Sequence, residues 1–276
     1  MAYRIVTDSS ANLLQLEGID LGVVPLHIIV GDQEFIDNED VDLTKMQTSL
    51  DTYKGKTSTS CPSPEEWLAA FADEEVVFCV TITSALSGSC SSANLAKQMY
   101  EAQYPERVVY VIDSLSTGPE MILLLEKLRD LIASGADHIQ IHQRICEYQK
   151  RTHLLFCLAS VDNLARNGRV NPLIAKGMDL LGIKILGKAS SEGTLQIMSK
   201  CRGNKRAFQY LAEQIRKNGY SGGKIIIAHN NNEAAAEELH RILTEAFGEF
   251  QGDVHLTRAL CSYYAEPESL LVGFES

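Results

Sequence analysis

Five serines crowd the stretch Thr81 to Ala93, at positions 84, 87, 89, 91 and 92, around a single glycine, Gly88. Hydroxyls at that density can donate hydrogen bonds to an anion, or one of them can attack an acyl group as a nucleophile. If a helix starts here, its free N–H groups and dipole draw a phosphate or carboxylate. Gly88 lets the backbone come close to a ligand, and Ser87 and Ser89 flank it. Serines also cap helices and close turns, so this stretch alone does not separate binding from capping. It has company: Thr7-Asp8-Ser9-Ser10 and Asp113-Ser114 also follow short apolar runs. In a parallel sheet all three loops lie at the strands' carboxyl edge, where open α/β sheets place their ligands. A fourth hydroxyl-rich stretch, Thr57 to Ser63, reads as a loop that leaves Thr59 and Ser60 free to face the same place.

Other chemistry is less well supplied. A hydrolase using Ser87 as nucleophile is the alternative reading, with His27 or His229 as base. However, Leu86-Ser87-Gly88 has no glycine two before the serine, so it is not a nucleophile elbow. No G-x-x-x-x-G-K-[ST] loop exists to hold a nucleotide. His138 and His142 stand one helical turn apart, but no third ligand falls in register with them. The seven cysteines form no C-x-x-C pair and no regular spacing, which implies neither a zinc site nor a disulfide framework.

The elements that must position these residues alternate. Strands are expected at Arg4–Val6, Val23–Val30, Val76–Val80 (continuously apolar, hence buried on both faces) and Val108–Ile112. Helices are expected at Val41–Leu50 behind an Asp cap, Pro64–Ala72 behind Ser63, Ala93–Tyr100, Pro119–Ser134 and Ile139–Gln149. From about His153 the pattern changes. A strand at His153–Ala159 leads through Leu164-Ala165-Arg166-Asn167-Gly168-Arg169 to a short helix, Val170–Leu181. A hairpin follows around Ser190–Thr194, then two amphipathic helices and further strands. The fold class is therefore α/β in two domains. Residues 1–152 form an open, mostly parallel sheet with helices on both faces, and residues 153–276 form an α+β mixed-sheet domain.

Composition narrows the partners. With 276 residues, 45% hydrophobic and 22% charged, the chain is an ordinary globular one. A net charge of −11 without a basic run argues against nucleic acid and against an anionic membrane surface. No apolar run is long enough to span a bilayer, and Met1-Ala2-Tyr3-Arg4 leads straight into a strand, so a cytoplasmic location is expected.

Thr7-Asp8-Ser9-Ser10, Thr59-Ser60-Cys61-Pro62-Ser63-Pro64, Leu86-Ser87-Gly88-Ser89, Asp113-Ser114 and Leu164–Arg169, in this order and spacing, resemble the DegV family across nearly the whole chain. The resemblance implies a two-domain protein that binds one long-chain fatty acid between its domains and needs no cofactor. It also implies a partner, a separate fatty acid kinase that phosphorylates the presented carboxylate. It places carboxylate-binding groups at Thr59 and Ser87, with Ser60, Gly88 and Ser89 beside them. The family's C-terminal His falls on Tyr264, whose phenol could donate one hydrogen bond. Glu266 and Glu268, close by, would oppose an anion and are expected to face solvent. Arg166 and Arg169 suit either a helix C-terminus or a partner surface. A chain of about 16 carbons buried at roughly 0.8 kcal/mol per methylene gains on the order of 12 kcal/mol gross. Immobilisation and carboxylate desolvation take back much of that, so the hydroxyls serve mainly to keep the carboxylate paired.

Overall fold

The structure, a computed structural model, describes residues 2–175 and 182–276. In chain order the first half runs β1 (Tyr3–Asp8), β2 (Leu21–Val24), β3 (His27–Val30), β4 (Gln33–Ile36), α1 (Leu43–Thr52), β5 (Thr57–Ser60), α2 (Pro64–Phe71), β6 (Val76–Thr81), α3 (Ser89–Gln103), β7 (Val108–Asp113), α4 (Pro119–Ala133) and α5 (His138–Gln149). Strands β2-β1-β6-β7 form a parallel sheet in that order. Successive side chains point to opposite faces. Ile5, Phe78 and Val80 meet α4 and α5 through Met121, Leu125, Ile141 and Ile145. Val6, Val77 and Cys79 meet α2 and α3 through Trp67, Phe71, Ala96 and Tyr100. Helices thus cover both faces, and every residue of β6 is buried, as its continuous apolar run implies.

The expected single strand Val23–Val30 is two strands in two sheets. Pro25 has no N–H to continue a ladder. At the break the Leu26 N–H donates to Ser9 Oγ (3.0 Å), and the Leu26 carbonyl accepts from the Asp37 N–H (2.9 Å). Beyond it, β4-β3-β5 is a separate antiparallel sheet. Thr57–Ser60, read from the sequence as a loop, is its third strand, with Thr59 opposite Ile28. Behind it, α2 starts where expected: Ser63 and Glu66 form a reciprocal capping box, with Pro64 in the first turn.

The second half runs β8 (Thr152–Leu158), α6 (Asp162–Arg166), α7 (Pro172–Ala175), β9 (Ile183–Ala189), β10 (Leu195–Arg202), α8 (Asn204–Lys217), β11 (Ile225–His229), α9 (Glu233–Phe247), β12 (Val254–Leu256), α10 (Ala259–Ala265) and β13 (Leu270–Glu275). The helix expected at Val170–Leu181 is represented by α7, and its residues 176–181 lie outside the described ones. The mixed sheet has the order β10-β9-β8-β13-β11-β12. One face packs Leu155, Cys157, Val272 and Phe274 against α8 and α9. The other face presents Leu154, Phe156 and Leu271 towards the first half. Between the sheets lies α4, and Met121 to Leu125 are all at most 1% exposed because both of its sides are covered.

The sequence gives no signal for α10. Its cap comes from 222 residues away: the buried carboxylate of Asp37 accepts the N–H groups of Ala259 (3.1 Å) and Leu260 (3.0 Å). Arg258 Nε stands 3.3 Å from the same carboxylate. This long-range cap fixes Tyr263 and Tyr264 against β5.

Candidate functional site

Between the parallel sheet's carboxyl edge and the mixed sheet lies a cavity of about 300 Å³, at the lower end of the size range of ligand pockets. Its walls are mostly apolar, with Leu26, Ile82 and Leu86 from the first half and Leu154, Phe156, Leu158, Leu195 and Leu271 from the second. Thr59, Ser60, Cys61, Ser87, Gly88, Arg169 and Tyr264 also line it. Of the residues singled out from the sequence, the structure therefore brings Thr59, Ser60, Ser87, Gly88, Tyr264 and Arg169 to one cavity.

The polar groups touch one another. Thr59 and Tyr264 share a hydroxyl–hydroxyl bond of 2.7 Å. Two residues earlier on the same face of β5, Thr57 makes the same contact with Tyr263, also 2.7 Å. The Arg169 guanidinium lies 5.8 Å from the Tyr264 ring centre and donates through Nε to the Leu86 carbonyl (3.2 Å), next to Ser87. Burial raises the Tyr264 phenol above its ordinary pKa, so it remains a neutral O–H at pH 7. Two hydroxyls sharing one bond keep one proton to give elsewhere. The Tyr264–Thr59 pair can thus offer a single O–H to an anion, and that bond is strengthened by the one behind it.

Arg169 is held by the helix end that precedes it. Gly168 follows α6 with φ +75°, the Gly168 N–H bonds to the Ala165 carbonyl, and the Arg169 N–H bonds to the Leu164 carbonyl. These are the two bonds of a Schellman cap. Arg166, three residues earlier, diverges. It is exposed and lines a separate polar pocket of about 170 Å³ with Asp51 and Asp162. The two arginines do not form one surface.

Two expectations change, for Ser89 and Glu266, and Gly88 gains a second role. Ser89 does not reach the cavity: it is fully buried, and its hydroxyl donates to Asp8 Oδ2 (2.7 Å). Asp8 also accepts the N–H groups of Ile82 (2.9 Å) and Ser10 (3.2 Å) and the Ser10 hydroxyl. The Asp8 loop is thus a clamp holding the site loop in place, and its own donors are consumed. Gly88 adopts ordinary right-handed backbone angles. A side chain there would come within 3.0 Å of Cys61 Sγ, so the glycine admits Cys61 and the β5–α2 connection. Glu266 does not face solvent: its carboxylate accepts the Asn163 N–H (2.9 Å) at the start of α6, and burial raises its pKa. Glu268 does face solvent, pairing with Lys184 at 3.0 Å while 72% of its side chain stays exposed.

The histidines weighed as bases for Ser87 are committed elsewhere. His27 contacts Glu34 (2.7 Å) and Glu66 (3.4 Å), and His229 Nδ1 accepts the Asn232 N–H (3.1 Å). His138 bonds the Tyr110 hydroxyl (2.8 Å), and His142 stacks on the same ring. Among the described residues no group of three or more His, Cys, Asp or Glu could hold a metal, and no helix is long and apolar enough to cross a membrane.

Known proteins share this fold. A DegV domain-containing protein of Streptococcus pneumoniae is 41% identical over 279 residues, spanning 100% of this chain and 99% of its own. A DegV family protein from Eubacterium eligens, solved loaded with heptadecanoic acid, superposes with a TM-score of 0.98 at 39% identity over the whole of both chains. The Streptococcus pneumoniae Fatty Acid Kinase (Fak) B3 protein, solved loaded with linoleic acid, gives 0.97 at 41% identity over 100% of this chain and 99% of its own. The DegV family model itself matches residues 2–276. The fold and the sequence agree, and the chain belongs to the DegV family.

Proposed function

We propose that the protein holds one long-chain fatty acid in the cavity between its two domains, residues 1–152 and 153–276, and presents the carboxylate to a separate fatty acid kinase. The observation that carries this reading is an apolar cavity whose few polar groups adjoin one another. An acyl chain fits the apolar walls, and its carboxylate fits the polar cluster. Thr59 and Ser87 supply the hydroxyl donors, Ser60 and the Gly88 backbone flank them, and Tyr264 acts through Thr59. Arg169 adds the positive charge that a half-buried carboxylate needs, since an unpaired one costs several kcal/mol. The relatives solved with heptadecanoic and linoleic acid support the ligand class, and the Fak B3 relative supports the kinase partner.

On this reading the chain is a carrier and the phosphoryl transfer belongs to the kinase, in the cytoplasm where ATP is at hand. Ser87, with no histidine among its described hydrogen-bond partners, acts as a hydrogen-bond donor. Native mass spectrometry of protein purified from cells, before and after adding palmitate or oleate, tests this. The expected result is one retained acyl chain per molecule. Protein that carries no lipid and binds neither acid would overturn the reading.

A further inference from the structure

Phe156 lines the cavity, on the same face of β8 as Leu154 and Leu158. Its cross-strand partner on β9 is Gly187. A β-carbon built on Gly187 would stand 2.2 Å from Phe156 Cζ and 2.5 Å from Cε2. The ring therefore lies flat over the neighbouring strand, in the space a side chain at position 187 would fill. Phe156 is 2% exposed, packed among Leu154, Ile185 and Leu271. A ring lying along a sheet leaves the volume above it open, whereas one standing upright occupies that volume.

We propose that the Gly187–Phe156 pair sets the depth of the cavity and so the length of acyl chain the protein prefers. The proposal rests on the fatty-acid reading above. Any residue larger than glycine at 187 lifts the ring into the cavity and shortens it. A shorter side chain without a ring at 156 leaves the space over Gly187 to the ligand and lengthens the cavity. Each methylene lost from or gained by the buried chain changes affinity by about fourfold.

The test is competition. Delipidated protein is incubated with equimolar myristic, palmitic and stearic acids, and the bound acids are extracted and quantified. Gly187→Ala should shift the bound mixture towards myristate, and Phe156→Leu towards stearate, each changing the stearate-to-myristate ratio by at least about tenfold. The double variant should return towards the native ratio. The Gln196 carbonyl also stands 2.5 Å from a β-carbon at 187, so Gly187→Ala could fail to fold, and Phe156→Leu then decides alone. Native protein that binds none of the acids refutes the fatty-acid reading. Native protein that binds them, with Phe156→Leu giving an unchanged ratio, overturns this inference and leaves that reading intact.

Discussion

Ser87 and Ser89 stand two residues apart in the same loop and have opposite fates. Ser89 points inward to Asp8, where one carboxylate accepts from Ile82, Ser10 and Ser89 and is completely covered. Ser87 lines a cavity whose other polar groups include Thr59, Ser60, Thr117, Tyr264 and Arg169. Both clusters are rich in hydroxyls at the carboxyl edge of the same sheet. What separates them is an internal acceptor. Around Asp8 the donors have a carboxylate supplied by the protein. At the cavity the protein supplies donors and a cation but no carboxylate, and the ligand proposed here brings one. A hydroxyl cluster with its own acceptor stabilises a fold, and one without it is free to bind.

Breaking the internal cluster should have the largest effect. Asp8→Ala strands the buried Ile82 N–H and two serine hydroxyls, and should lower the unfolding free energy by at least about 3 kcal/mol in urea denaturation. A loss below about 1 kcal/mol would mean that the clamp is not what holds the loop.

Glu120 sharpens the contrast, because it is a buried carboxylate with far fewer partners. Thr152 Oγ1 donates to it at 2.8 Å, and burial pushes its pKa from 4.5 up to about 7. The folded state thus binds this proton more tightly than the unfolded chain does. The fold is unpenalised below about pH 4.5 and loses stability as pH rises to about 7, by up to on the order of 3 kcal/mol. Glu120→Gln should match the native protein at pH 4 and exceed it at pH 8 in urea midpoint. An equal difference at both pH values would place the carboxylate's effect elsewhere.

The cavity cluster should respond in the opposite sense. Thr59→Ala and Ser87→Ala should each weaken oleate binding by about 1–2 kcal/mol, roughly tenfold, while changing stability by less than about 1 kcal/mol. Tyr264→Phe should give the smaller part of that range, since its phenol acts through Thr59. Isothermal titration beside thermal melts separates the two quantities. A variant that loses stability and affinity together would belong with Asp8 instead.

The smallest effect is expected at Arg166, which is exposed and away from the cavity. Arg166→Ala should leave stability and oleate affinity unchanged within about 0.5 kcal/mol, whereas Arg169→Ala should weaken oleate binding. Any lowered acyl phosphate yield with Arg166→Ala, measured with a cognate kinase at saturating fatty acid, would assign that arginine to the partner surface.

How far the sequence discloses this follows the range of the forces involved. Strand β6 and helix α2 are legible because their signals are local: a continuous apolar run, and Ser63-Pro64 with Glu66 three after the cap. Strand β5 is not, because Thr-Ser-Thr-Ser becomes a strand only by pairing with β3, some 30 residues earlier. Helix α10 is seven residues long and takes its cap from Asp37, so nothing beside it in the sequence announces it. Thr59 and Ser87, which line the cavity, are reachable through hydroxyl density and family resemblance. The burial of Ser89 on Asp8 depends on a contact spanning 81 residues, which spacing does not encode.

The central claim is that the cavity cluster lacks only an acceptor and that a fatty acid carboxylate supplies it. A crystal structure of the protein with bound oleate tests this most directly. The account predicts carboxylate oxygens within about 2.6–3.2 Å of Thr59 Oγ1 and Ser87 Oγ, with the alkyl chain running over Phe156. A carboxylate in solvent with those hydroxyls unengaged, or oleate seated outside this cavity, would contradict it.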